Sequence, residues 1–182
     1  MGDVTLRFSV DSIEAELRES LRQLEFVVGL IPAAWHHRQP NGEIRGLNDA
    51  KNRTPAAHIA HLVLYEELLA SPVLAELSEG RDGTRVASSG HVSWMSPQVE
   101  VMAQQAIPQI VELLRVARAT HISIVKRFDD LRLNAPLTTL WSTGESGKRA
   151  ESAGWLATKT VQHTGEHANM LFRFALFHTE EY

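Results

Sequence analysis

The chain has 182 residues, enough for one domain with a sizeable core, and its 43% hydrophobic and 22% charged residues are ordinary for a globular protein. A net charge of −4 gives no global positive field to draw nucleic acid or anionic lipid, so neither partner is expected. The absence of cysteine excludes disulfides, thiolate zinc sites, iron–sulfur clusters and a cysteine nucleophile. The opening "MGDVTLRFSV" lacks the charged and apolar blocks of a signal peptide, and no apolar run reaches the length of a membrane span. A cytoplasmic protein of one domain, residues 1–182, is the expectation.

Four helical segments follow from apolar periodicity. The first opens at "DSIE", where Asp11 and Glu14 suit a capping box. Ile13, Leu17, Leu21, Leu24, Val28 and Ile31 then recur at three- and four-residue steps until Pro32 ends the helix. Residues 33–53 are rich in turn formers and read as a loop. The second helix opens with Thr54 as N-cap and Pro55 at the first helical position, and should reach about Leu77 with a kink at Pro72. A third starts the same way at Ser96-Pro97 and continues to around Leu131, bent or broken at Pro108. The fourth spans Ala153 to Phe177, after an irregular stretch in which a hairpin over 134–152 lacks clear alternation. Long amphipathic helices joined by irregular loops give the fold class: all-α, a four-helix bundle.

The chemistry lies in the histidines. In "VQHTGEHANMLFRF" (161–174), His163 and His167 are four apart and so about 40° apart around the helix. Leu156, Met170, Leu171, Phe174 and Phe177 share their side, while Phe172 and Val161 lie opposite. On the second helix, Ala57, His58, Leu64, Tyr65, Leu68 and Leu69 cluster around His61, and Glu66 and Glu67 point elsewhere. Histidines of two helices can therefore face one interior, and neutral imidazole suits Zn, Ni, Fe or Cu. Three protein ligands leave coordination positions open. His58 is an alternative to His61 as ligand; otherwise it packs or lines the site entrance. His121, on the inward face of the third helix with Leu114, Ala117 and Val125, fits a fourth ligand, an acid–base group or a buried structural histidine. His36, His37, His91 and His178 read as solvated positions. A lone inward histidine is more often a hydrogen-bonded core residue, so the case rests on the helices being neighbours.

Several site types are absent from the sequence. It has no His-Glu-x-x-His, no Glu-x-x-His of the carboxylate di-iron bundles, no phosphate-binding Gly-x-x-x-x-Gly-Lys and no Gly-x-Ser-x-Gly. The basic run "SGKRA" at 146–150 reads as surface.

"RTPAAHIAHLVLYEE" and "HTGEHANML" resemble the two motifs of the DinB/YfiT-like family of small bacterial bundles. One is a His-Leu followed by an acid on the second helix, which matches His61 rather than His58. The other is His-x-x-x-His on the fourth, matching His163 and His167. Arg53 stands where the family often has tryptophan, and Asn169-Met170 replace a frequent Gly-Gln. The resemblance implies a four-helix bundle, a divalent metal ion (Zn, Ni, Fe or Mn) on His61, His163 and His167, and often a homodimer. It also implies a transferase or isomerase that uses a low-molecular-weight thiol such as bacillithiol or mycothiol on a small-molecule substrate. Tyr65, His58 and His121 are then candidates to orient the thiol or move protons. A metal-dependent hydrolase, or a non-enzymatic metal- or ligand-binding protein, fits the same residues.

Overall fold

Ser9 opens the first helix, two residues before the expected Asp11, because its Oγ accepts the Ser12 N–H at 3.2 Å. In the computed structural model, which describes residues 7–39, 53–83, 96–137 and 152–179 (backbone only for 177–179), this helix is α1, Val10–Gly29. Its stripe of Ile13, Leu17, Leu24, Val27 and Val28 is buried, and Ser20 lies buried on the same face. After a 3₁₀ turn over Ala33–Trp35, Thr54 caps α2 as expected, its Oγ1 accepting the Ala57 N–H at 3.1 Å.

Helix α2, Pro55–Tyr65, runs without a break into a π turn over Glu66–Ala70 and then α3, Ser71–Ser78. The expected kink at Pro72 takes this form. Proline lacks an N–H and crowds the carbonyl of the preceding turn, so the ladder widens before it and the Ser71 N–H bonds to the Glu66 carbonyl.

The expected third helix is three. Ser96 caps α4, Pro97–Met102, and Pro108 occupies the first turn of a fresh helix α5, Ile107–Val125. Proline is tolerated there because the first-turn N–H groups have no helical partner. The continuation to Leu131 fails because Asp129 starts α6, Asp130–Asn134, by accepting the Arg132 N–H at 2.8 Å. The last helix, α7, runs Ala153–Thr179. Of a hairpin over 134–152 only a single bridge between Pro136 and Ser152 exists among the described residues. The "SGKRA" run and His91 lie outside the described residues, as does the side chain of His178.

Two apolar clusters fix the helix directions. One joins the end of α1 (Leu24, Val28) to the starts of α2 (Ala56, Ile59) and α5 (Ile107, Ile110) and the end of α7 (Leu171, Phe174). The other joins the start of α1 (Ile13, Leu17), Leu74 of α3, the end of α5 (Ile124, Val125) and the start of α7 (Ala153, Ala157). The bundle is therefore up–down–down–up, with α4 in the long crossover. Helices α1 and α2 each pack on both α5 and α7, and α4 covers α2. That cover explains why every residue from Pro55 to Leu64 is buried. No helix among the described residues is long and apolar enough to cross a membrane.

The chain ahead of α1 is tied down by Asn134, whose Oδ1 accepts the Arg7 and Phe8 N–H groups at 2.8 and 3.0 Å. This holds Phe8 against Gly154, where an added Cβ would stand 2.6–2.8 Å from three Phe8 carbons, its Cβ among them. Gly154→Ala should therefore be destabilising although alanine favours helix: overpacking costs ~1–3 kcal/mol against a propensity gain of ~1 kcal/mol. A lower urea midpoint than wild type is expected, and an unchanged or higher one would contradict the close approach.

Candidate metal centre

Helix α7 follows its sequence pattern: one turn apart, His163 and His167 face α2, and Thr164 between them is fully buried toward the bundle. From α2, His61 reaches the same point. His163 Nε2 stands 3.3 Å from His61 Nε2 and 3.2 Å from His167 Nε2, and the ligand atoms of the three all lie within 4.8 Å of one another. The His61 and His167 rings stack at 5.3 Å and 17°, with His163 edge-on to both. The two helices are neighbours, the condition the sequence left open.

Three imidazole nitrogens converging in this way have an unresolved electrostatic problem. Each carries one in-plane lone pair or one hydrogen, so a single proton among three nitrogens serves them incompletely. A cation serves all of them. Two nitrogens bound at about 2.0–2.1 Å to a tetrahedral ion stand roughly 3.3–3.4 Å apart, close to the spacings here. Burial drives the His163 imidazole down to about 3, with the neighbouring His61 and Lys159 acting in the same direction. Its neutral, ligand-competent form is therefore present at pH 7. The residues fit a divalent ion.

The other candidates take different places. His58 is buried behind the cluster, not at an entrance, and its Nδ1 lies 3.3 Å from His167 Nδ1, the nitrogen on the far side from the three. Tyr65, half-buried, packs its ring on His163 at 4.4 Å and 69°. Desolvation pushes its phenol up to about 12, so at neutral pH it is a hydrogen-bond donor and no base. His121 is not brought to the cluster as a fourth ligand. It is fully buried with its Nδ1 3.0 Å from the Ser71 hydroxyl. His36 and His37, read as solvated, each meet a main-chain carbonyl, of Ile31 and Ala103 respectively, both at 3.1 Å.

The sequence reading missed the polar layer linking all four main helices. Arg118 of α5 is 1% exposed and Glu66 is 0% exposed. The Arg118 Nε donates to both Glu66 oxygens at 3.0 Å, and Nη2 donates to Glu66 Oε1 at 2.6 Å and Thr164 Oγ1 at 2.7 Å. Nη1 donates to the Leu17 carbonyl at 2.5 Å and Ser20 Oγ at 2.9 Å. Every guanidinium donor has a partner. Burial pushes the Glu66 carboxyl up, with Arg118 pulling against it. Glu66 follows Tyr65, and Thr164 sits between the two histidines of α7, so this layer joins the helices that carry the cluster.

A family model for the DinB superfamily matches residues 16–171. The chain belongs to the DinB superfamily. A crystal structure of a protein from Streptococcus pneumoniae is similar over 92% of this chain and 90% of that one, with a TM-score of 0.59 and 14% sequence identity. At that identity the likeness speaks for the fold. No curated protein matches the chain. Against the usual pattern of the DinB superfamily, Arg53 replaces an expected tryptophan, and here its Nη1 faces Glu100 of α4 at 3.6 Å.

Proposed function

We propose that this DinB-superfamily protein holds a divalent metal ion on His61, His163 and His167 and is a metal-dependent transferase acting with a low-molecular-weight thiol. The observation that carries the metal reading is the convergence of three Nε2 atoms, with 3.2 and 3.3 Å spacings, from neighbouring helices. A divalent ion there supplies a Lewis acid that lowers the pKa of a bound thiol or water. His61 and His167 are buried and His163 partly exposed, so approach to the ion is from the His163 side. Tyr65, packed on His163 and protonated at neutral pH, with its hydroxyl engaged by Thr160, is the neighbouring side chain we assign to orienting what enters there. With no cysteine in the chain, the thiol has to come from the small molecule. Use of water in place of the thiol would make the same site a hydrolase. Exposed Phe26 of α1 and Leu30 at its C-cap, with Phe172 and Leu176 of α7, lie toward the same end of two neighbouring helices and offer apolar surface for a homodimer.

Metal content per chain, measured on untagged protein beside a His163→Ala/His167→Ala variant, tests the reading. Near-stoichiometric metal in wild type and at least a hundredfold weaker retention in the variant are expected, since the variant has lost two of three ligands. Light scattering on the same samples reads the dimer. Negligible metal in both proteins after incubation with Zn²⁺, Ni²⁺ and Mn²⁺ would sink the metal site and the transferase with it.

A further inference from the structure

Behind the three converging nitrogens stands a fourth imidazole with no place among them. His58 is three residues before His61 on α2, hence about 60° from it around the helix, and is 3% exposed. Its Nδ1 meets His167 Nδ1 at 3.3 Å, with the rings at 73° and centroids 5.2 Å apart. The contact is made on the side of the His167 ring opposite the nitrogen that faces His163. A hydrogen bond between two ring nitrogens needs one N–H and one lone pair, so the His58 and His167 tautomers are set together.

We infer that His58 is a positioning residue that fixes the His167 tautomer, accepting the Nδ1–H so that the Nε2 lone pair is presented to the metal. The inference rests on the metal site proposed above. The alternative polarity, with His58 donating, would put the His167 hydrogen on Nε2 and close that nitrogen to an ion. Metal-ligating histidines ordinarily donate their second N–H to a carboxylate, a main-chain carbonyl or water. Here a second imidazole takes that place. The same contact explains why α2 carries two histidines on adjacent faces: one is a ligand, and the other holds a ligand of α7 in register. It also leaves the remaining coordination positions to solvent or substrate, because His58 approaches the ligand from behind.

Ring ¹⁵N NMR of histidine-labelled, metal-free wild type tests the inference directly, together with Zn²⁺ affinity by competition titration in His58→Leu and His58→Gln. The expected spectrum shows His167 protonated on Nδ1 and bare on Nε2. In His58→Leu the hydrogen should redistribute toward Nε2 and Zn²⁺ affinity should fall about 10- to 100-fold, the usual loss when such a partner is removed. His58→Gln, whose amide oxygen can accept the same hydrogen, should recover most of both. This rescue separates positioning from mere packing. A wild-type His167 protonated on Nε2 would overturn the inference, as would unchanged affinity in a folded His58→Leu. If wild type bound no Zn²⁺ at all, the metal reading would fall and take this one with it. A wild type that binds Zn²⁺ and a His58→Leu variant that binds it equally would sink only the role of His58.

Discussion

Replacing Arg118 by methionine is expected to lower the free energy of unfolding by ~3–5 kcal/mol, a large share of the ~5–15 kcal/mol available to a typical domain. The size comes from what is left behind. Glu66 has no exposure, and in the absence of Arg118 its carboxylate would lose three of its charge-assisted hydrogen bonds while remaining in the core. It would have to take up a proton or draw in water, at a cost set by its desolvation. Thr164 Oγ1, Ser20 Oγ and the Leu17 carbonyl would each lose a donor as well. Glu66→Leu should be comparably damaging for the converse reason, an unpaired guanidinium. The double variant Arg118→Met/Glu66→Leu should lose clearly less than the sum of the singles, because it removes both buried charges together. Chemical denaturation of the metal-free proteins at neutral pH measures this. Strict additivity would mean that the losses come from packing and not from the pair.

A buried charge pair was the least legible part of this fold, yet each member left a trace. Arg118 sits four residues after Leu114 and three before His121, on the stripe that turns inward on α5. Ser20 occupies the corresponding stripe on α1, between Leu17 and Leu24. Polar residues in register on inward faces of separate helices signal a shared layer, but only once the helices are known to be neighbours. Glu66 gave less. It points away from the histidine cluster, as its spacing from His61 requires, but the far side of α2 is not solvent. With α4 covering one face and α5 and α7 the others, α2 has no consistently wet side, so periodicity there does not separate inside from outside.

What was readable from the sequence was local. Thr54-Pro55 and Ser96-Pro97 start helices because a hydroxyl cap and a first-turn proline satisfy the same unpaired groups wherever they occur. The one-turn spacing of His163 and His167 puts both rings on one face regardless of tertiary context. The break at Pro108 was equally local, but beyond that reach were the up–down–down–up order, which long connections leave free, and the stop and restart at Asp129. The destinations of His58 and His121 depended on the same missing knowledge. Both face inward, but one meets His167 and the other meets Ser71 of the helix that follows the π turn.

His121 carries the second large expectation, a loss of stability on acidification. Its pKa is lowered from 6.5 to about 3, first by burial and then by the positive charge of Arg118, while Ser71 bonds its Nδ1. The unfolded chain takes up a proton as pH falls through about 6.5, but the folded chain does not until about 3. Between those values the unfolded state binds more protons. The stability contributed by the neutral imidazole is therefore complete above 6.5 and lost progressively as pH falls toward 3. The slope is ~1.4 kcal/mol per pH unit, so about 2 kcal/mol should be gone by pH 5 from this side chain alone. His163 titrates in the same direction, so wild type alone does not isolate the effect. The variant Ser71→Ala/His121→Leu does, because it removes donor and acceptor together and leaves no orphaned hydroxyl. Exchanging both partners of a buried hydrogen bond for apolar groups is close to neutral. At pH 7.5 the metal-free variant should lie within ~1 kcal/mol of wild type, and the difference between them should shift in its favour by about 2 kcal/mol at pH 5. Parallel stability profiles for the two proteins from pH 7.5 to 4.5 would show that His121 ionises in the folded state as readily as in the unfolded one, and that its burial carries no such penalty.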